Sequence, residues 1–326
     1  MNPDNICYFY PHMKHLYPFL ALTLIMVVAG QMQAQEPELA YKLLEGESYY
    51  LVTDLQQSTH SESMDSEEIS FYNLTRVEYG VDSINQNGHY HMSVRYRDLL
   101  ISMLAPQLEI DISSASRKNQ MLSEMVEMLE QSVFHIVMSP RGELKSLDGL
   151  EENFASLATL PVSDTAKHQV ILKTLEEAYG PDAFKSLHSL FVWIYPVLSP
   201  MTNWTNDITY HFNTKAVKMV NRYFLTKSTE DYLVIQGLGM LNSLKEFYET
   251  TGMGKVKSAV SGSQTYDFQM DLESGWLNRC ISRQRVMIET IILESNYLPS
   301  GLKIPSYTET VFEVRGGRLE SREEKE

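Results

Sequence analysis

Apolar and polar positions alternate with period two along much of this chain, the pattern of strands that bury one face. Tyr90, Met92, Val94 and Tyr96 alternate with His91, Ser93, Arg95 and Arg97, and Tyr266, Phe268, Met270 and Leu272 repeat the alternation near the other end. Strands are predicted over 39–44, 49–59, 69–84 and 90–101. They are separated by Gly46, by a polar acidic stretch at 61–68, and by Asn87-Gly88, a strong hairpin signal. A helix is predicted over 119–130, where Met121, Leu122, Met125, Met128 and Leu129 fall on one face. A strand over 133–138 follows, then Ser139-Pro140-Arg141-Gly142, which fits a type I turn.

The spacing then becomes helical over 150–157, 164–179 and 182–194, with Ser163 placed to cap, Gly180 to stop one helix and Pro181 to open the next. Pro196 and Pro200 close this segment. Strands return over 207–212, 216–227, 232–237, 264–273, 277–283, 286–293 and 307–314, while the Gly and Ser positions between Thr251 and Ser263 predict a loop or a short edge strand. The fold expected is α+β: large curved antiparallel sheets with a central helical insert packed against them. The division expected is a signal peptide over 1–34, a strand-rich part over 35–145, the helical insert over 146–200, a second strand-rich part over 201–319 and a charged tail over 320–326.

The leader reading rests on Lys14, the apolar run from Leu16 to Ala29, and the polar approach Gln31-Met32-Gln33 to the small residue Ala34. Pro18 interrupts the run, which is shorter than the roughly 20 residues of a spanning helix. An exported protein cleaved near Ala34, periplasmic or extracellular, with no transmembrane segment in its mature chain, is expected. Cys7 and Cys280 are the two cysteines, and cleavage would leave Cys280 alone, so stability must come from the core rather than a disulfide. The formal net charge of −15 opposes nucleic-acid binding, which needs clustered Lys and Arg.

Chemical motifs are sparse. His89 and His91 share a strand face, but no neighbouring Cys or acid at helical spacing completes a metal site, so they read as a solvated face. Cys280 would need a histidine such as His168, His188 or His211 brought to it by folding, and it reads better as a small packed hydrophobe. Ser261-Gly262-Ser263 follows Val260, so no nucleophile elbow is formed, and Gly237-Leu238-Gly239 and Gly252-Met253-Gly254 lack the rest of a phosphate loop. No catalytic residue, metal or cofactor is assigned. Met92, Met103, Met121, Met125, Met128, Met138 and Met270 lie on predicted apolar faces and suit either an adaptable apolar pocket or core filling.

Three local patterns carry a family resemblance: Tyr41 to Tyr49, which contains Leu-x-x-Gly-x-x-Tyr, then Trp204 before a strand, then Gly275-Trp276-Leu277. The chain resembles an uncharacterised family of exported Bacteroidota proteins with an opening Leu-x-x-Gly-x-x-Tyr strand, a central helical insert and a Gly-x-x-Trp segment. It departs from that pattern at Trp204, which Asn203 precedes with no glycine in the usual place. The resemblance implies location and architecture and no chemistry. The expectation for function is a non-enzymatic binding or carrier protein for an apolar small molecule or an envelope protein, its pocket lined by Tyr90, Met92, Val94, Tyr96, Tyr266, Phe268 and Met270. The alternatives are a cell-envelope hydrolase whose site forms only in the fold, and a structural or assembly protein.

Overall fold

The computed structural model describes residues 40–61, 68–105, 108–113, 120–160, 165–192, 202–212, 215–251, 254–293 and 301–319. The segment read as a leader and the charged tail lie outside them. The chain runs β1 (Ser48–Ser61), β2 (Glu68–Ile84), β3 (Tyr90–Ala105), β4 (Leu108–Ser113), α1 (Gln120–Gln131), β5 (Phe134–Met138) and β6 (Leu144–Asp148). Three helices follow, α2 (Leu150–Ala158), α3 (Thr165–Tyr179) and α4 (Pro181–Val192). The second run of strands is β7 (Asn203–Phe212), β8 (Lys215–Ser228), β9 (Tyr232–Ser243), β10 (Phe247–Thr251), β11 (Gly254–Asp271), β12 (Leu277–Ile292) and β13 (Leu302–Leu319).

These strands make a single 13-stranded sheet in the order β6-β5-β3-β2-β1-β13-β12-β11-β9-β8-β7, with β4 added on β3 and β10 on β11. Two antiparallel meanders, one before the helices and one after, are joined where β1 pairs with β13. The expectation of large curved sheets is therefore corrected: there is one open sheet, ending in β6 and β7, and it is not strongly curled. Helices are packed on it, α1 against β3 and β4 and α4 against β6.

Local sequence accounts for most boundaries. Gly88, at φ +73°, makes the hairpin between β2 and β3, and Asn85 Oδ1 accepts from the backbone N–H groups of Asn87 and His89. Alternation along β3 runs through Tyr96 and shifts at Asp98, which takes φ +51°, so that Leu99 and Ile101 become the buried positions. Glu151 and Glu152 in the first turn of α2 favour its positive end, and Leu150, Phe154 and Leu157 bury one stripe. His168, Ile171, Leu175 and Tyr179 form the buried stripe of α3, and Pro181 opens α4. Three segments differ from expectation. Residues 39–44 contain no strand among the described positions, β4, β6 and β10 are additional, and the stretch expected as a loop or short edge strand before Gln264 is the first half of β11, an interior strand paired with β9, β10 and β12.

The two faces of the sheet differ in chemistry. Inward positions form a core rich in aromatic rings at one end and a smaller cluster of Val217, Met219, Leu241 and Phe247 at the other. A transverse row of uncharged polar residues crosses the same face. Asn206 stands opposite Asn221, Asn221 opposite Gly239, Gly239 opposite Gln264, Gln264 opposite Gln284, Gln284 opposite Thr310, and Thr310 opposite Gln57. Amides of the row bond within it and beside it: Asn221 Nδ2 donates to Asn206 Oδ1 at 3.1 Å, Gln284 Nε2 to Gln264 Oε1 at 2.9 Å, and Gln264 Nε2 to the neighbouring Ser282 Oγ at 2.6 Å. A Cβ at position 239 would lie 2.4 Å from Asn221 Oδ1, so glycine makes room for the amide. The outward face carries charge, including the ion pairs Arg76–Glu78, Lys218–Asp207, Arg279–Glu313 and Arg285–Glu309. The same face also exposes Val220, Leu238, Met240, Met287 and Val311.

Candidate functional site

Two of the three patterns that carry the family resemblance meet in space, whereas Trp204 of β7 stacks on Tyr223 with ring centroids 5.7 Å apart. Leu43 and Tyr49 are buried anchors on either side of Gly46, which turns at φ +83° and donates its N–H to Val81 O at 2.8 Å. Trp276 lies among Tyr41, Tyr49 and Tyr79 at ring distances of 5.8, 5.0 and 5.3 Å, and its Nε1 donates to Tyr50 O at 3.0 Å. Gly275 sits at φ +69°, where a Cβ would come within 2.2 Å of Ala40 O. These motifs thus lock the start of the described chain onto the turn between β11 and β12, which is a structural role. Beside them a hollow of about 140 Å³ holds Lys42, Glu47, Asp271, Glu273 and Arg318. Three of these charges are engaged locally, Arg318 with Glu47 at 2.5 Å and Asp271 Oδ1 with the backbone N–H of Ser274 at 2.7 Å.

A second space lies between the helices and the sheet. Its volume is about 320 Å³ and its lining is predominantly apolar. Thr53 and Leu55 of β1, Asn73 and Thr75 of β2, Tyr96 of β3, Gln264 of β11 and Phe312 of β13 line the sheet side. Ala178 and Tyr179 of α3 and Ala183, Phe184, Ser186 and Leu187 of α4 line the helical side. Two tyrosines fasten the helical side down: Tyr96 OH donates to Tyr179 O at 2.8 Å, and Tyr179 OH lies 3.2 Å from Leu100 O and 3.3 Å from Asn73 Oδ1. Burial pushes both phenols above their ordinary range, so both stay neutral donors. Phe184 packs edge-on to Phe134 at 5.0 Å, completing the attachment of α4. Ala178 and Ala183, small residues flanking the α3–α4 junction, border the space.

Of the seven residues expected to line a pocket, Tyr96 alone borders this cavity. Tyr90, Met92, Val94, Tyr266, Phe268 and Met270 are buried in the continuous core with Tyr96. Neighbouring strands and rings fill the space they would have opened: Met92 stands opposite Val81 and Ile136, and Tyr266 packs against Tyr223 and Phe268 at 5.8 and 5.5 Å. The cavity thus lies at the sheet–helix junction and not along the alternating apolar stripes. A readable signal was present in β2, where Asn73 and Thr75 interrupt an otherwise apolar inward row of Phe71, Val77 and Tyr79.

Residues 87–277, more than half of the chain, match a family described as "Family of unknown function (DUF6263)". The chain belongs to the DUF6263 family. Within the DUF6263 match lie Tyr96, the three helices α2, α3 and α4, Gln264 and Trp276, whereas Tyr41 to Tyr49 precede it. No curated protein matches the chain. Among solved structures, Pseudomonas aeruginosa OpdQ aligns at 6% identity over 85% of this chain and 100% of that one, with a TM-score of 0.21. An outer membrane channel from Pseudomonas putida F1 aligns at 10% identity over 85% and 97%, TM-score 0.19. The translocator domain of the autotransporter NalP from Neisseria meningitidis aligns at 7% over 94% and 98%, TM-score 0.18. TM-scores this low establish no shared fold.

The remaining chemical candidates of this DUF6263 chain are dispersed. Cys280 is buried on β12 opposite Phe268 and Val314, and burial drives its thiol far above the ordinary range. His168 is buried with Nε2 3.1 Å from Leu157 O, tying α3 to α2. His188 of α4 is buried between Phe184 and Tyr79, and burial pushes its imidazole down to about 4. His211 is in β7. His89 precedes β3 in the hairpin turn, and His91 Nε2 lies 3.4 Å from Asn85 Nδ2. Among the described residues no group of three or more His, Cys, Asp or Glu is placed to hold a metal, and no helix is long and apolar enough to cross a membrane.

Proposed function

We propose that this DUF6263 chain is a non-enzymatic binding or carrier protein of the cell envelope that receives an apolar small molecule between α3–α4 and the sheet. The observation that carries the reading is the cavity of about 320 Å³, predominantly apolar and bounded by Leu55, Tyr96, Phe184, Leu187 and Phe312. Ligand sites of this kind occupy roughly 300–1,000 Å³ and combine apolar walls with a few polar groups. Export rests on the leader-like run before Ala34, and the water-facing charges of the sheet suit a protein free of the bilayer core.

The test is native mass spectrometry of the protein purified from its own source, with extraction of whatever denaturation releases. A single apolar ligand per chain is expected in the wild type and its loss in Ala183→Phe, whose added ring enters the cavity. An empty wild type that also takes up no N-phenyl-1-naphthylamine in a fluorescence titration overturns the reading.

A further inference from the structure

We infer that the ligand is an uncharged amphiphile whose polar end presents a carbonyl oxygen to Asn73, an inference that rests on the apolar-ligand reading above. The chain has a formal net charge of −15 and 21% charged residues, yet none of the side chains around the cavity is an acid, a lysine, an arginine or a histidine. A carboxylate, phosphate or ammonium drawn into it would leave water without a counter-charge, a cost far larger than that of a neutral polar group. The cavity does offer polar contacts, and they are neutral ones. Thr53 Oγ1 lies 3.4 Å from Thr75 O, Thr75 Oγ1 donates to Asn73 Oδ1 at 2.9 Å, and Tyr179 OH lies 3.3 Å from the same Oδ1.

Asn73 decides the polarity of the match. Thr75 Oγ1 donates to its carbonyl oxygen and Tyr179 OH, which also reaches Leu100 O, lies on the same side, so the amide nitrogen is turned away from both hydroxyls. Its Nδ2 has no hydrogen-bond partner among the described residues, and the side chain borders the cavity and is half-buried. An amide N–H pair at the edge of an apolar space selects an acceptor, and an ester or amide carbonyl supplies one without charge. The Asn73-Leu74-Thr75 sequence reads on paper as a glycan acceptor; here the amide faces inward and is held by Thr75 and Tyr179 instead.

The experiment is calorimetric titration of the full chain near pH 8 with four probes that share one chain length: methyl decanoate, decanamide, decanoate and decylammonium. Both neutral probes are expected to bind at least about tenfold more tightly than either ion. The protein's own negative field favours decylammonium and disfavours decanoate at long range, so rejection of both ions identifies the cavity and not the net charge as the cause. If either ion binds within tenfold of methyl decanoate, the inference is overturned while the apolar-ligand reading stands; if none of the four binds, the reading falls and takes the inference with it. In Asn73→Asp, which keeps the shape and removes the N–H donors, methyl decanoate is expected to weaken about fivefold, the range of one lost hydrogen bond. Unchanged affinity there refutes the Asn73 contact.

Discussion

Acid should weaken this fold through one residue. His188 is buried on α4, 4.8 Å from the ring of Phe184 and 5.7 Å from that of Tyr79. Burial lowers its imidazole from an ordinary 6.5 to about 4, so between those values the unfolded chain binds a proton that the folded chain refuses. Stability therefore rises with pH across that window, is fully present above about pH 6.5, and is lost progressively as pH falls toward 4. Each pH unit is worth about 1.4 kcal/mol, which gives a loss of about 3 kcal/mol between the two limits. That is a large part of the roughly 5–15 kcal/mol by which folded proteins exceed their unfolded states. The assay is urea denaturation at about pH 7 and about pH 4 for the wild type and for His188→Leu, which cannot titrate. Carboxylates contribute to both proteins alike, so the wild type is expected to lose about 3 kcal/mol more than the variant over this range. Parallel losses in the two would refute the assignment of the acid sensitivity to this imidazole.

Trp276→Ala removes a ring that touches Tyr41, Tyr49 and Tyr79 and should cost about 3–5 kcal/mol, read as a lower urea midpoint; a loss below about 1 kcal/mol would mean that the aromatic cluster repacks freely. In a Cys7→Ser chain, Cys280, buried against Phe268 and Val314 with its thiol pushed upward, should react with an aromatic disulfide reagent only in denaturant, and rapid reaction of that chain when native would contradict its burial.

The strands most legible in the sequence were those whose inward residues are all large and apolar, as in β3 from Tyr90 to Tyr96. Three of the boundary errors share a location. The strand read over 232–237 stopped short of Gly239, the one read from 264 began at Gln264, and β12 was broken between Arg283 and Val286, on either side of Gln284. All three positions belong to the transverse polar row, where amides and a glycine replace the apolar residues on which alternation depends. Glycine misled for a related reason. Gly262 reads in sequence as part of a loop or a short edge strand, yet a Cβ there would lie 2.5 Å from Arg285 O, so it marks close approach of two central strands. The cavity was harder to read. It is made by contacts far apart in sequence, Tyr96 with Tyr179 and Tyr179 with Asn73, and no local period records which helix face will come to rest on which part of a sheet. Asn73 and Thr75 were visible as polar residues on an inward row, but their meaning depended on Tyr179.

The two ends of the described chain lie side by side in the middle of the sheet, with Ser48 opposite Leu319 and Ser61 opposite Ser306. Every contact across that seam spans most of the polypeptide, so its closure entropy is spent on the last strand made. Until β13 is complete, the first meander presents β1 and the second presents β12 as bare edges, each an invitation to pair with another chain. A truncation before Leu302 would accordingly release two half-sheets with adhesive rims in place of one shortened protein, and a short link from the end of β13 to the start of β1 would turn the slowest pairing into a local one.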